Sequence, residues 1–326
     1  MIIARSPLRI TLGGGGTDLP SYYRKYGGVV ISAAIDKYVF VTVTRPFTPG
    51  IFLKYSRLEN VQQCADVQHP IIREALEILD FKTPQVEITT LADIPAGTGL
   101  GSSGSFTTAL LKALYVYCRK NLQADELARM ACEIEINRLK EPVGKQDQFI
   151  AAYGGLTSFS FHPEETVEVV PLHITPDTLH DLEDNLLLFF TGFNRSASEV
   201  LQDQVKRTQT ADQTMIQNLH RVQELGLMSK NILEAGRTAD FGALMHEQWE
   251  NKKLRSAVMT NASINEWYEL GRSNGAIGGK LVGAGGGGFL MFYAEDRNRL
   301  RRAMTHAGLD EVRFHFDFEG TKIVLA

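Results

Sequence analysis

The stretch Pro95-Ala-Gly-Thr-Gly-Leu-Gly-Ser-Ser-Gly-Ser-Phe106 sets glycine-rich backbone between an alternating pattern and a helical one. Upstream, Val86 and Ile88 alternate with Glu87 and Thr89, the period of a half-buried strand. Downstream, Phe106, Ala109, Leu110, Ala113, Leu114 and Tyr117 recur on one helical face. Strand, glycine loop and helix in that order make an anion site. Glycines let amide N–H groups converge on a ligand with no Cβ in the way, and the helix adds its free N–H groups and positive dipole end.

A Walker A loop needs G-x-x-x-x-G-K, and no lysine occurs between Lys82 and Lys112, which excludes it. Gly99-Leu-Gly101-Ser-Ser-Gly104 matches G-x-G-x-x-G, but a dinucleotide fold also wants a parallel strand after the helix, ending in an acidic residue. Here Asn121-Leu-Gln-Ala-Asp-Glu-Leu127 follows, an N-cap region opening another helix. A glycine-rich turn with no ligand would cost backbone entropy with nothing to offset it.

The stretch resembles the phosphate loop of the GHMP kinase superfamily (galactokinase, homoserine kinase, mevalonate kinase, phosphomevalonate kinase), P-x-x-x-G-L-x-S-S followed by a small residue. Two further segments are similar to the same family and lie at the two ends of the chain. The N-terminal segment, Leu8-Arg9-Ile-Thr-Leu-Gly13-Gly-Gly-Gly-Thr-Asp18, resembles the version found in heptose 7-phosphate kinases. Galactokinases carry R-V-N-L-I-G-E-H-T-D, so Arg9, Thr17 and Asp18 are shared, while Thr11, Gly15 and Gly16 replace Asn, Glu and His. From the residues alone, Asp18 either caps a helix at Ser21-Tyr22-Tyr23 or is brought by the glycine turn against a polyol. The C-terminal segment, Lys280-Leu-Val-Gly-Ala-Gly-Gly-Gly-Gly-Phe289, opens a strand rather than a helix, which rules out a second dinucleotide loop.

Between them, Pro142-Val-Gly-Lys145-Gln-Asp147-Gln-Phe resembles the G-x-x-D-Q-F segment of galactokinases, where the aspartate is the base for the sugar hydroxyl. Asp147 matches that aspartate, and Glu135 matches the family's magnesium-binding glutamate. Asp147 lies between a glycine turn and an apolar run, where an unpaired carboxylate would be costly.

The chain has 326 residues, 44% hydrophobic and 22% charged, and a net charge of −4, which argues against a nucleic-acid partner held on a basic surface. No membrane-length apolar run and no export signal are visible, and Cys64, Cys118 and Cys132 lack metal spacing, so we expect a cytoplasmic chain with idle thiols. Residues 29–34 and 38–44 read as two strands, 51–55 as a third and 69–79 as a helix entered at His69. Residues 125–139 read as one helix with Glu135 beside its buried stripe, 186–190 as a buried strand, and 240–255 as a helix with Trp249 in the core. Val312, Phe314, Phe316 and Phe318 alternate as a half-buried strand.

The resemblance covers nearly the whole chain and implies a two-domain α+β fold. Residues 1–165 would form a ribosomal-protein-S5-like domain and residues 166–326 a ferredoxin-like one, with the active site in the cleft between them. It implies ATP on Pro95, Gly97, Gly99, Leu100, Gly101, Ser102, Ser103 and Gly104 together with Gly285 and Gly286, and Mg²⁺ on Ser103 and Glu135. Asp147 would act on the acceptor hydroxyl, and Arg9 or Lys145 would offset charge on the transferring group. Gly15, Gly16, Thr17 and Asp18 would hold a sugar, and Arg195 a phosphate on it. The implied reaction is phosphorylation of the anomeric hydroxyl of a manno-heptose 7-phosphate. Another sugar (fucose-like or galactose-like), a sensor without turnover and a nicotinamide oxidoreductase stay open, as does a homodimer; no nucleic-acid or membrane partner is expected.

Overall fold

A computed structural model describes residues 1–81, 85–193 and 197–326. Its strands are β1 (Ile2–Gly13), β2 (Gly28–Thr44), β3 (Gly50–Lys54), β4 (Leu58–Val61), β5 (Gln85–Ala92), β6 (Leu156–Phe161), β7 (Val167–Pro171), β8 (Leu186–Phe190), β9 (Ala276–Leu281), β10 (Phe289–Ala294), β11 (Asp310–Glu311) and β12 (Lys322–Leu325). One sheet runs β12-β1-β2-β5-β3-β4, with β6 on the far half of β2 and β7 beside it. The other runs β11-β8-β10-β9 and is antiparallel throughout. In chain order that is 4-1-3-2 with helices between first and second and between third and fourth, a ferredoxin-like unit. The first sheet takes in β7 and β12, which both follow residue 165. β5 pairs β2 antiparallel, so the glycine loop does not stand at the edge of a doubly wound parallel sheet, and the oxidoreductase reading falls.

The two strands expected at 29–34 and 38–44 are one, β2, interrupted only by a register shift where Pro7 and Leu8 oppose Tyr38 and Ile35. Such a bulge leaves backbone groups free. Here Asp36 N–H donates to the His315 carbonyl, and the Asp36 carboxylate accepts from His315 N–H at 2.9 Å. The expected strand at 312–318 is therefore a segment laid along the bulge, touching β2 through the single Ile35–Phe316 bridge. It stops at Asp317, whose Oδ1 accepts from the N–H groups of Glu319 and Gly320 and turns the chain. Phe318 is left 59% exposed.

The helix Ser102–Tyr117 buries Ala109, Leu110, Ala113 and Leu114 against β1 and β2. Leu8, Ile10 and Leu12 of β1 share a second apolar cluster with Leu188 of β8, Phe241, Met245 and Phe289. Each fully buried side chain of that kind contributes about 1.5–3 kcal/mol, so the two sheets are joined by core and not by a linker. Trp249, fully buried, packs with Tyr268 and Phe292 on the other face of the second sheet. Among the described residues no helix is long and apolar enough to cross a membrane.

Candidate active site

The cleft between the sheets is lined by the three glycine segments together with Arg9, Asp18, Ser102, Ser103 and Asp147. In the phosphate loop Gly97, Gly99 and Gly101 all have φ near +80° and alternate with ordinary residues, which turns successive amides toward one side. Gly101 is the residue before the helix, so the helix N-terminus opens on the same space. Gly97, Gly99, Gly101, Ser102 and Ser103 line the cleft, as do Gly15, Gly16 and Gly285. Four residues expected there do not. Pro95 is exposed and its carbonyl accepts from Thr98 Oγ1; Leu100 is core; Gly104 lies against the Asp147 backbone; Gly286 N–H is bonded to the Met259 carbonyl.

Arg9, 5% exposed, reaches from β1 to bind Asp147 at the head of the helix Gln146–Tyr153. Its Nε and Nη2 both lie 2.8 Å from Asp147 Oδ1, and its Nη1 donates to the Gly99 carbonyl at 2.5 Å. One guanidinium thus ties the acid to the phosphate loop, while Asp147 Oδ2 accepts nothing among the described residues. Beside them Ser103 Oγ donates to Glu135 Oε2 at 2.6 Å and Gln148 Nε2 to Glu135 Oε1 at 3.1 Å. The expected helix at 125–139 changes at Glu133 to a π-helical turn through Arg138, which swings Glu135 inward until it is 2% exposed. Burial pushes the Glu135 carboxyl up, against the hydrogen bonds from Ser103, Gln148 and Thr107.

Asp18 does not cap the helix Pro20–Tyr26, whose N-cap residue is Leu19. It accepts from Gly16 N–H and Gln146 N–H, both at 3.0 Å, and any Cβ on Gly144 would fall 1.9 Å from its Oδ2. Burial raises its pKa, and the Gln146 backbone bond works against that rise. Thr17 does not face the cleft: its hydroxyl sits among the Gly14 carbonyl, the Val29 carbonyl and Val29 N–H, so it pins the glycine turn to β2. Lys145 also points elsewhere. Its Nζ donates to Glu165 Oε2 at 2.6 Å and lies 4.7 Å over the Tyr23 ring, so the cation beside Asp147 is Arg9 alone of the two expected. Arg195 lies outside the described residues.

The family description "GHMP kinases N terminal domain" matches residues 69–155, and "GHMP kinases C terminal" matches residues 228–309. A D-glycero-alpha-D-manno-heptose 7-phosphate kinase of Campylobacter jejuni is 30% identical over 337 aligned residues, 98% of each chain. This chain belongs to the GHMP kinases. A crystal structure titled as a D-glycero-D-manno-heptose 1-phosphate kinase from Bacteroides thetaiotaomicron superposes on the kinase with a TM-score of 0.83 at 26% identity, covering 100% of this chain and 99% of that one. An L-fucokinase/L-fucose-1-P guanylyltransferase of Bacteroides fragilis is 27% identical over 94% of this chain and 36% of its own length. The kinase is an enzyme of phosphoryl transfer, with the two-domain fold of its family.

The kinase also lines its cleft with residues to which the sequence assigned no role. Gln146 Oε1 accepts from Thr11 Oγ1 at 2.9 Å and Ser32 Oγ at 3.1 Å, which fixes the residue beside Asp147. Lys252, Arg255 and Lys280 enter from the second sheet and its helix. Lys252 lies in the last turn of the helix Thr238–Lys253, where a cation looks like a dipole partner, and Arg255 follows two residues past its end.

Proposed function

We propose that this kinase transfers the γ-phosphoryl group of ATP to the anomeric hydroxyl of a manno-heptose 7-phosphate. The observation that carries the reading is the Arg9–Asp147 pair, 2.8 Å apart and locked to Gly99 of the phosphate loop, with one carboxylate oxygen uncommitted. A hydroxyl presented to Asp147 would have its proton accepted or oriented, and Arg9 would sit where charge develops on the transferring group. Asp18, between the first glycine turn and Gln146, is suited to accept bonds from sugar hydroxyls. The heptose assignment draws on the Leu8–Asp18 segment and on the Campylobacter relative.

Ser103 and Glu135 fit Mg²⁺: a hydroxyl and a carboxylate in contact offer hard oxygen ligands, and among the described residues no group of three or more acidic, His or Cys side chains forms a closed cage. Mg²⁺ favours few protein ligands, with phosphate oxygens and water completing its shell. Bound there, it would neutralise charge on the nucleotide's phosphates. The chain's own residues position the rest, which is most of what phosphoryl transfer asks.

The test is a screen of ATP consumption against heptose 7-phosphate, manno-heptose, mannose, galactose, fucose and mevalonate, with the product read by phosphorus NMR. The reading predicts turnover with heptose 7-phosphate and a new anomeric phosphate. Preference for fucose or galactose would replace the acceptor, and no turnover with any of them would remove the sugar kinase.

A further inference from the structure

Three cations of the cleft touch no carboxylate among the described residues, and Asp18 acts on Arg255 only through space. Lys280 Nζ donates to the Leu12 carbonyl at 3.0 Å and to Gln248 Oε1 at 2.5 Å; Lys252 Nζ donates to the Leu281 carbonyl at 3.0 Å. Arg255 Nε donates to Asn218 Oδ1 at 3.1 Å and its Nη1 to the Gly15 carbonyl at 3.3 Å. Every one of these partners is a neutral oxygen. Among the described residues none of the three cations has a carboxylate within 4.0 Å. Arg255 and Lys280 are only 6% and 7% exposed, and Lys252 is half-buried. Three desolvated positive charges on one cavity wall are costly unless an anion completes them. Burial already holds Lys280 down to about 7 and, against the pull of Asp18, Arg255 to about 10, and Lys252 is depressed by burial and by the neighbouring Arg255, Lys280 and Arg9.

The positions of Arg255 and Lys280 separate those two from the phosphate loop. Arg255 and Lys280 bond the carbonyls of Gly15 and Leu12, on the first glycine turn that carries Asp18, whereas the loop at Gly97–Ser103 is held by Arg9. Lys252 stands between: from its helix its Nζ reaches the carbonyls of Leu281, at the end of β9, and of Gly283, which packs on Gly99.

We propose that Arg255, Lys280 and Lys252 form a receptor for a phosphate monoester carried by the acceptor, separate from the glycine loop that takes the nucleotide. It rests on the sugar-kinase reading above and gives that reading a residue-level basis for choosing a phosphorylated sugar over a neutral one. A dianionic monoester matches the three charges, and the Arg255 guanidinium adds the planar fork that suits phosphate oxygens.

The experiment is calorimetric binding, without ATP, of heptose 7-phosphate, of unphosphorylated heptose and of ADP to wild type, Arg255→Gln and Lys280→Met. Wild type binds the phosphorylated sugar at least about tenfold more tightly than the neutral one, a comparison that needs no variant to fold. Each substitution weakens heptose 7-phosphate by about 10- to 100-fold, the scale of one charge-assisted bond, and changes ADP and neutral heptose less than about threefold. Equal wild-type affinity for the two sugars overturns the receptor, as does a loss for ADP as large as that for the sugar phosphate. Failure of the acceptor screen would instead remove the kinase reading, and these binding data would still judge the receptor.

Discussion

Gly99 and Gly283 stand so close that a Cβ on Gly283 would lie 2.5 Å from the Gly99 Cα. The phosphate loop of the first sheet is thereby seated on the glycine loop of the second, and the cleft owes its shape to two missing side chains. Gly97, with φ +80° and nothing within 4 Å of its absent Cβ, provides the control. Gly97→Ala adds only backbone strain, about 1–2 kcal/mol. Gly283→Ala adds the same strain at φ +83° and an overpacked contact costing about 1–3 kcal/mol more. Urea unfolding of the two variants should show the difference, and equal losses would mean the loops do not meet.

Ser103 and Glu135 are expected to act as a unit. Ser103→Ala removes the hydroxyl of the 2.6 Å pair and Glu135→Gln its charge, so each damages one shared ion site and the double variant should lose little more than the worse single one. Compare kcat/KM for the three across a magnesium titration. Fully additive losses in log kcat/KM would show that the two do not share an ion.

Lys145 should prove dispensable for chemistry. With its Nζ on Glu165, Lys145→Met is expected to keep kcat within about tenfold of wild type, below the 10²- to 10⁴-fold typical of a lost acid–base group. Its signature is acid stability instead. Burial alone would raise Glu165, but hydrogen bonds from Lys145, Tyr23 and Arg24 outweigh that and hold it at about 2. A depressed carboxyl contributes stability above its ordinary value of 4.5, lost as pH falls toward 2. Lys145→Met should flatten the thermal-stability profile in that window and leave it parallel to wild type above pH 6. A collapse of kcat with an unchanged acid profile would return Lys145 to the active site.

How much was legible follows the range of the interactions. The glycine loop, its strand and its helix are local, and Pro95–Phe106 announces them through composition and period. Glu135 was found by its place in the chain, but its π-helical turn was not, because a single extra residue per turn leaves the apolar stripe of residues 127–134 intact. Thr17 and Lys145 were misplaced because their partners, Val29 and Glu165, are distant in sequence and only the fold brings them near. The same holds for Arg255 and Lys280, whose common target at Leu12–Gly15 lies at the other end of the chain, and for Lys252, whose partners Leu281 and Gly283 stand 29 and 31 residues on. The segment 312–318 kept the alternation of a strand while Asp317 spent its side chain on a turn.

The central claim is that Asp147 works on the acceptor while the nucleotide is held elsewhere. Asp147→Asn tests it most directly, since asparagine keeps an oxygen for the Arg9 contact at 2.8 Å and loses only the charge and basicity. Steady-state turnover with heptose 7-phosphate, paired with ADP titration of the same variant, is the measurement. We predict kcat lower by about 10²- to 10⁴-fold with ADP affinity nearly unchanged. A kcat within about threefold of wild type, or an equal loss in ADP binding, would contradict the account.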